Sequence, residues 1–472
     1  MLFPTIDFAL FFAGSFALVW SLNNQNLLKK FVLLALSLFF YASWDWHFVF
    51  LILASGAISF AGGLYVDAAQ SRPFRRTALA VCVALDLGIL VYFKYLNFLV
   101  AQILNFAHLL SLDPALAFVN VTLPVAISFL TFHALSYVID VYRGRVSPSR
   151  SPLDVVLYLS FFPHLVAGPI VRAHEFLPQL QRPGRAEDFS LGENLMLILG
   201  GLFKKMVIAN YLAVRFVDPV FTDPSQFSRI DLIIATYAYA IQIYCDFSAY
   251  TDIAIGVAAL FGYRFPQNFN QPYRALGFSD FWRRWHMTLS VWLRDYLYIP
   301  LGGNRHGEWA TTRNLMITML LGGIWHGANW TFLIWGAMHG LALTVDHRWQ
   351  RSQTFTRLNG NGFYQAIAWI VTFHFVCFTW IFFRSASLDD ALQFLAGVWT
   401  DNGAGITAPW IVAPLLLAGA VTHLMPEATR RIAGAAFDRQ GAPAQIALGF
   451  GALYVVLIMA PAASAPFIYF RF

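Results

Sequence analysis

Two histidines mark the central region of this sequence: His286 in Phe278-Ser-Asp-Phe-Trp-Arg-Arg-Trp-His-Met-Thr-Leu-Ser290 and His326 in Leu320-Leu-Gly-Gly-Ile-Trp-His-Gly-Ala-Asn-Trp330. Both segments belong to residues 237–335, a region rich in aromatic and aliphatic residues that we expect at membrane depth. An ionisable side chain at that depth is costly, so it requires a partner, a hydrated cavity or a chemical role. We therefore interpret the rest of the chain as a scaffold that holds this region in a bilayer.

The composition is that of a helical membrane protein. Of the 472 residues, 58% are hydrophobic and only 12% are charged, whereas soluble domains carry about 25% charged residues. The apolar runs reach the length of a spanning helix, which disfavours a β-barrel built from short alternating segments. The chain is thus predicted to be an all-α polytopic membrane protein with about eleven transmembrane helices.

The basic residues do not predict a nucleic-acid-binding face. The net charge of +6 comes from short clusters of Lys and Arg between apolar runs, and this distribution is the positive-inside pattern of membrane proteins. Cys82, Cys245 and Cys377 lie singly in apolar segments without metal-ligand spacing, so we expect neither a disulfide framework nor a metal site. Membrane lipid is an expected partner and nucleic acid is not.

The apolar runs predict where the chain crosses the membrane. Spanning or half-spanning helices are expected near residues 3–22, 28–43, 47–66, 77–98, 120–141, 190–217, 230–262, 312–322, 328–346, 363–384, 409–425 and 443–460. Residues 153–180 contain Phe161-Phe-Pro-His-Leu-Val-Ala-Gly-Pro169 and predict a re-entrant or interfacial segment buried in protein. Residues 278–310 predict short interfacial helices, and Gly322-Gly323 predicts a helix break just before His326.

The positions of the basic clusters predict an orientation. If these clusters face the cytoplasm, both the N-terminus and the C-terminus lie on the outer side, which is the periplasm in a bacterial inner membrane. Residues 3–22 lack a basic leader and a cleavage site, so they predict a retained first span. No long linker separates soluble domains, so we expect one transmembrane domain over residues 1–472, with a catalytic core at 120–347 and C-terminal spans at 363–460.

Several residues could carry chemistry beside the two histidines. Trp325, Asn329 and Trp330 supply hydrogen-bond donors and flat apolar walls around His326, and imidazole is the usual general base near neutral pH. The alternative is a structural histidine with satisfied hydrogen bonds. Arg283 and Arg284 either contact lipid headgroups or hold the phosphates of a ligand at the cytoplasmic mouth of a site.

An acidic segment in the preceding helix offers a second group of candidates. Within Tyr244-Cys-Asp-Phe-Ser-Ala-Tyr-Thr-Asp252, helical spacing pairs Asp246 with Tyr250 and Ser248 with Asp252. These side chains either lock the helix to neighbours that carry Arg or Tyr or line a hydrated tunnel. The two aspartates project in different directions, so a shared carboxylate dyad is not expected.

Long motifs in this sequence closely resemble the membrane-bound O-acyltransferase family, and in particular its bacterial branch that acetylates alginate and cellulose and D-alanylates teichoic acid. The motifs are Tyr244-Cys-Asp-Phe-Ser-Ala-Tyr-Thr-Asp-Ile-Ala-Ile-Gly256, Phe265-Pro-Gln-Asn-Phe-Asn-Gln-Pro-Tyr273, Asp280-Phe-Trp-Arg-Arg-Trp-His286, Trp292-Leu-Arg-Asp-Tyr-Leu-Tyr-Ile-Pro-Leu-Gly-Gly-Asn304 and Gly322-Gly-Ile-Trp-His-Gly-Ala-Asn-Trp330. Shorter stretches add to the resemblance: Val166-Ala-Gly-Pro-Ile-Val-Arg172, Gly201-Leu-Phe-Lys-Lys205 and Phe467-Ile-Tyr-Phe-Arg-Phe472.

The resemblance implies a helical fold around a transmembrane tunnel, with His326 as the catalytic histidine and His286 as a second active-site histidine. It implies transfer of an acyl group, most simply acetyl, from acetyl-CoA or another cytoplasmic thioester, with no bound cofactor. The acceptor would be an exopolysaccharide such as the alginate or cellulose of a biofilm. A periplasmic acetyltransferase of the SGNH-hydrolase type and a polysaccharide synthesis and secretion complex are the implied partners, at a bacterial inner membrane.

Two other classes of protein stay open. A proton-coupled transporter or flippase could use the histidines with Asp246 or Asp252 as a proton relay, and a structural subunit of a polysaccharide export complex would need no chemistry. Transporters often carry inverted repeats with paired broken segments, but residues 161–169 and 322–327 share no motif. A scaffold should tolerate His326→Gln, whereas an acyltransferase should not.

Overall fold

The computed structural model describes residues 1–69, 71–112, 118–119, 121–182, 184, 189–400, 407–461 and 465–468. These residues form helices and turns, and none of them lies in a β-strand. The chain divides into two compact units, Met1–Ser190 with Ala254–Pro266 and Leu191–Ile253 with Gln267–Phe472. Residues 469–472 of the C-terminal motif lie outside the described part of the chain.

The described residues of the first unit form nine helices of its own, besides the last turns of a helix shared with the second unit. They are α1 (Ile6–Ser21), α2 (Asn26–Ala42), α3 (Val49–Ala68), α4 (Arg72–Leu90), α5 (Leu96–Leu109), α6 (Ile127–Tyr142), α7 (Pro152–Ser160), α8 (Phe162–Leu165) and α9 (Ala173–Leu180). A π-helical turn, Val91–Tyr95, joins α4 to α5 without interrupting the helix. Polar residues begin several of these helices: the side chains of Thr5 and Ser151, for example, accept backbone N–H groups of the first turns of α1 and α7.

The second unit contains the remaining helices of the described chain. They are α10 (Leu191–Leu202), α11 (Asn210–Leu212), α12 (Asp218–Thr222), α13 (Arg229–Leu260), α14 (Phe278–Trp282), α15 (Met287–Leu293), α16 (Gly307–His326), α17 (Trp330–Gln350), α18 (Gln353–Leu358), α19 (Gly362–Arg384), α20 (Leu388–Thr400), α21 (Val412–Leu424), α22 (Glu427–Asp438) and α23 (Ala442–Met459). Two π-helical stretches, Phe203–Ala209 and Ala213–Val217, join α10, α11 and α12 into one continuous helix. The last turns of α13, beyond Ile253, belong to the first unit.

Helices of spanning length confirm a multi-pass membrane protein. Within the described ranges, six are long and apolar enough to cross a bilayer: Trp46–Ala68, Arg72–Leu109, Leu191–Thr222, Arg229–Leu260, Gly362–Arg384 and Ala442–Met459. Three shorter helices, α1, α6 and α21, are also apolar. The total of about eleven spans stays a prediction.

The proline-containing segment 153–180 folds as the sequence suggests. It forms the short helices α7, α8 and α9, and residues 157–173 are all buried within the first unit. Backbone that cannot make helical hydrogen bonds must be satisfied inside protein at membrane depth. The Tyr158 hydroxyl accordingly donates to the carbonyl oxygen of Val171 over 3.0 Å.

The predicted break at Gly322-Gly323 is wrong. Helix α16 continues through both glycines and ends at His326, so the break follows the histidine. A Cβ atom at Gly323 would collide with the carbonyl oxygen of Phe332, and one at Gly336 would collide with that of Met319. These glycines therefore allow α16 and α17 to pack backbone against backbone. Small residues commonly permit this close approach between membrane helices.

Candidate active site

His326 lies at the C-terminal end of α16, with only 4% of its surface exposed. Aromatic rings enclose its imidazole. The ring centroids of Trp335 and Phe383 lie 5.2 Å and 5.0 Å away, both edge-on, and that of the neighbouring Trp325 lies 4.9 Å away. This packing fixes the imidazole in apolar surroundings and keeps bulk water from it.

The imidazole of His326 borders a small cavity of about 10 Å³. Its lining residues are Ile243, Phe247, Trp285, His326, Trp335, Trp380, Phe383 and Ile468. Such a volume holds about one water-sized group. Among these lining residues of the described structure, His326 is the only ionisable one. A proton released inside this space therefore has the imidazole as its acceptor.

His286 directly precedes α15 as its N-cap residue and is fully buried. Its ring packs edge-on against Phe247, with 4.7 Å between centroids, and its centroid lies 6.3 Å from that of Trp325. Phe247 also lines the cavity at His326. The structure thus places both predicted histidines in one aromatic cluster, in which the ring of Trp325 lies beside each of them.

Asn268 holds the backbone and the ring of His286. His286 has a φ of 43°, in the left-handed region, where a non-glycine residue costs about 1–3 kcal/mol. The Asn268 Oδ1 atom lies 3.2 Å from His286 Nδ1 and accepts from the backbone N–H and the hydroxyl of Thr288 at 3.1 and 2.9 Å. The Asn268 carbonyl oxygen accepts from Met287 N at 2.9 Å. Because Oδ1 is an acceptor, Nδ1 carries the proton in neutral His286 and Nε2 is the basic nitrogen.

Sequence reasoning assigned no role to Asn268. It lies in the motif Phe265-Pro-Gln-Asn-Phe-Asn-Gln-Pro-Tyr273, which pointed to the family but gave no contact. A polar asparagine in such an aromatic run was the available signal.

Replacing Asn268 by alanine is expected to lower the free energy of unfolding by about 1–3 kcal/mol, because several buried donors lose their acceptor. Thermal unfolding of the detergent-solubilised protein measures this change. Asn270→Ala is the matched control, since Asn270 is exposed two residues along the same loop and should shift stability by less than about 0.5 kcal/mol. Equal shifts for the two variants would contradict the role given to Asn268.

The other residues predicted around the histidines occupy different environments in the structure. Trp325 is buried in the aromatic cluster, as described above. Asn329 caps α17 by accepting from Thr331 N at 3.1 Å and donates to the carbonyl oxygen of Ala386. Trp330 is 48% exposed at the start of α17. Asn329 and Trp330 do not line the cavity at His326.

The two arginines before His286 also differ. Arg283 is exposed. Arg284 pairs with Asp280 over 2.9 Å, one helical turn earlier. Neither lines a cavity that the structure describes, so a role in ligand binding stays a prediction for both.

Two acidic residues of α13, Asp246 and Asp252, form ion pairs with two lysines of the π-helical stretch Phe203–Ala209. Lys205 Nζ lies 2.8 Å from Asp246 Oδ1, and Lys204 Nζ lies 2.6 Å from Asp252 Oδ2 and 2.8 Å from Ser248 Oγ. The interhelical partners are thus lysines and not the arginines or tyrosines that the sequence suggested. Tyr250, predicted with Asp246, packs on Phe467 with 4.1 Å between centroids.

A second, larger cavity of about 1210 Å³ lies in the same unit. Parts of α10, α13, α21, α22 and α23 and the loop 267–274 form its walls. The surface is mostly apolar, with Leu417, Val421 and Val455 among its residues, and charged side chains include Lys204 and Arg274.

The two cavities share no lining residue among those described, but their walls meet at one ring pair. Phe269 lines the large cavity and Phe247 lines the small one. Their centroids lie 5.0 Å apart with the rings nearly perpendicular.

Together these features define a multi-pass helical membrane enzyme with a buried histidine at a water-sized cavity. Residues 146–388 match the model of the membrane-bound O-acyltransferase family, and this range contains His286, His326 and Asn268. The chain belongs to this family and is an O-acyltransferase, which confirms the resemblance seen in the motifs.

Known relatives share most of the chain. A peptidoglycan O-acetyltransferase of Helicobacter pylori is 37% identical over 425 residues, covering 84% of this chain and 78% of its own. A probable alginate O-acetylase of Pseudomonas putida is 38% identical over 402 residues, covering 85% and 80%. A teichoic acid D-alanyltransferase of Bacillus subtilis is 28% identical over 277 residues, covering 55% and 68%.

Proposed function

We propose that this enzyme transfers an acetyl group from a thioester to a hydroxyl of a polysaccharide outside the cytoplasm, directly or through a partner transferase. The observation that carries this proposal is the cavity at His326, which offers one ionisable group within aromatic walls. The acceptor oxygen attacks the thioester carbonyl carbon while its proton passes to the His326 imidazole. When the tetrahedral intermediate collapses, the C–S bond breaks and the departing thiolate takes the proton from the imidazolium.

The size of the catalytic cavity supports acetyl as the transferred group. A space of about 10 Å³ holds about one water-sized group, so the surrounding rings have to move even for acetyl and would be displaced much further by a longer acyl chain. The names of the Helicobacter and Pseudomonas relatives agree with acetyl transfer. Trp285, Trp335 and Trp380 line this space and are the candidates to donate to the oxyanion of the intermediate.

The large cavity is the proposed binding site for the donor, acetyl-CoA or another acyl thioester. Its volume of about 1210 Å³ suits an extended ligand of this size. Apolar walls fit the pantetheine arm. Arg274, which donates to the Gln271 amide oxygen over 2.7 Å, can turn a planar guanidinium toward phosphate oxygens. The Phe247–Phe269 ring pair then separates the donor from His326 and has to move for transfer.

The acceptor, the partner and the membrane are proposed from the named relatives, the family resemblance and the positions of the basic residues. The named relatives act on peptidoglycan, alginate or teichoic acid, so the proposed acceptor class is a cell-envelope or secreted polysaccharide, alginate and cellulose included. We infer a bacterial inner membrane with both termini in the periplasm, because the basic clusters then face the cytoplasm. A periplasmic acetyltransferase of the SGNH-hydrolase type within a polysaccharide secretion complex would complete the transfer.

The decisive experiment uses purified protein in lipid vesicles, with and without a periplasmic acetyltransferase of the SGNH-hydrolase type, supplied with acetyl-CoA that carries a labelled acetyl group. Release of CoA together with labelled, esterified polysaccharide is the expected result. Proton movement coupled to solute uptake, with the thioester intact, would instead establish the transporter alternative. Neither activity, in protein shown to be folded and with the candidate polymers tested, would leave the scaffold alternative.

Substitution of Arg274 tests the donor site. Arg274→Gln is expected to raise KM for acetyl-CoA about tenfold with little change in kcat, because a charge-assisted hydrogen bond contributes about 1.5–3 kcal/mol. Arg357→Gln, at an exposed arginine of α18, is the control for loss of one surface charge. An unchanged KM for Arg274→Gln would place the donor elsewhere.

A further inference from the structure

A buried ion pair holds the last described residues of the chain. Lys205 and Asp246, on neighbouring helical segments, are both buried. Besides pairing with Asp246, Lys205 Nζ donates to the carbonyl oxygen of Ala465 over 2.9 Å. Asp246 Oδ2 accepts from the backbone N–H of Ile468, also over 2.9 Å. One ion pair thus binds residues 465–468 at both ends.

The bound segment reaches the catalytic cavity. Phe467 is fully buried against Tyr250 and lies 6.1 Å, centroid to centroid, from Phe247. Ile468 is buried and lines the cavity together with Phe247 and His326. Residues 465–468 therefore supply one wall of the space in which the acyl group reacts.

We propose that Lys205 and Asp246 are positioning residues that set this wall beside His326. The segment is largely irregular, so few of its backbone groups are satisfied within a helix, and buried backbone groups need partners. The ion pair supplies an acceptor for one N–H and a donor for one carbonyl. Burial of two charges is costly unless additional hydrogen bonds satisfy both groups, and here residues 465–468 provide those hydrogen bonds. This inference rests on the proposed function, since it assigns the wall to the acetyl-transfer cavity.

The neighbouring pair shows that the arrangement is specific. Lys204 and Asp252 come from the same two segments, yet they line the large cavity. Lys205 and Asp246 face the C-terminal segment. On this proposal Asp246 supports the cavity wall, and the tunnel role of Asp246 and Tyr250 stays a prediction.

The position of the wall can be tested without any measurement of catalysis. A cysteine placed at Ile468 is expected to resist N-ethylmaleimide in otherwise unchanged protein, because the site is buried. Adding Lys205→Met or Asp246→Ala should speed its labelling at least about tenfold. The experiment is run with Cys245, the neighbour of Asp246, replaced by alanine, and the native thiols of Cys82 and Cys377, both buried, should stay unlabelled and thereby show that the loosening is local. A thiol at position 468 that labels equally with and without the ion pair would overturn the proposal.

A double variant separates positioning from general stabilisation. Lys205→Met with Asp246→Asn leaves no unpaired buried charge and keeps an oxygen for the Ile468 N–H, but it removes the tie to Ala465. We expect its thermal stability to recover relative to Asp246→Ala. Its kcat should stay about 100-fold low with KM for acetyl-CoA within about twofold, since small misplacements in a site can cost about 10²-fold in rate.

The matched control is Lys30→Met with Asp154→Asn, which removes a buried ion pair of the first unit, 2.9 Å between its charged atoms. Recovery of both stability and kcat in the Lys205/Asp246 double variant would show a purely structural pair. If the unchanged protein transfers no acetyl group, the proposed function fails. The labelling result still decides whether the ion pair holds residues 465–468 in place.

Discussion

His326→Gln is expected to lower acetyl transfer about 10³-fold while the protein still folds and reaches the membrane. Glutamine retains a polar side chain of similar reach, but it cannot take a proton at neutral pH. General-base catalysis contributes about 10²–10⁴-fold, and no other ionisable side chain among the described lining residues can replace it. Initial rates with labelled acetyl-CoA, normalised to folded protein, measure the loss.

A matched control is available on the adjacent helix. His339 is a fully buried histidine of α17 whose nitrogens lie 3.3 Å from Trp282 Nε1 and 3.1 Å from Thr379 Oγ1. It does not line the cavity at His326. His339→Gln should reduce stability, yet change the rate per folded molecule less than about threefold. If His326→Gln kept its rate, or if both variants lost it equally, His326 would not be the catalytic base.

Gly323→Ala is expected to have the largest effect on stability. Its Cβ would meet the carbonyl oxygen of Phe332 and crowd Gly336 Cα at 3.2 Å. Backbone atoms cannot rotate away as a side chain can, so α16 and α17 must separate. Overpacking of this kind costs about 1–3 kcal/mol or more, and it also shifts His326, which lies three residues further along α16. A lower unfolding temperature together with reduced acetyl transfer is the expected outcome.

Gly449→Ala is the control for the change of residue type. This glycine lies in α23, where a Cβ would meet nothing within 4 Å. Alanine is favoured over glycine in a helix by about 1 kcal/mol, so stability should stay constant or rise. A fall equal to that of Gly323→Ala would show that close packing of α16 on α17 is not the cause.

The sequence predicted most of the architecture because apolar run length carries the necessary information. Helices α1, α2, α13, α19 and α23 begin and end within a few residues of the predicted spans. The motifs identified the family, and the two histidines lie in one aromatic cluster. Composition and local pattern are sufficient for these conclusions.

Other features depend on contacts that no local pattern records. A glycine pair permits either a bend or close helix packing, and only the opposing backbone of Phe332 decides between them at Gly323. Asn329 is near His326 in sequence, but a helix start directs its side chain to the backbone of α17. The ties of Ala465 and Ile468 join residues more than 200 positions apart, which periodicity cannot reveal.

The Phe247–Phe269 ring pair has a consequence for the ion gradients across the membrane. Any passage through an energised membrane risks leaking ions, and each elementary charge that crosses dissipates about 2.3 kcal/mol per 100 mV. On the proposed function, these two rings, with centroids 5.0 Å apart and planes at 78°, would stand between the donor cavity and His326 and disfavour a continuous chain of water there. An acetyl group can then be handed from one side of this ring pair to the other while the proton-motive force is maintained.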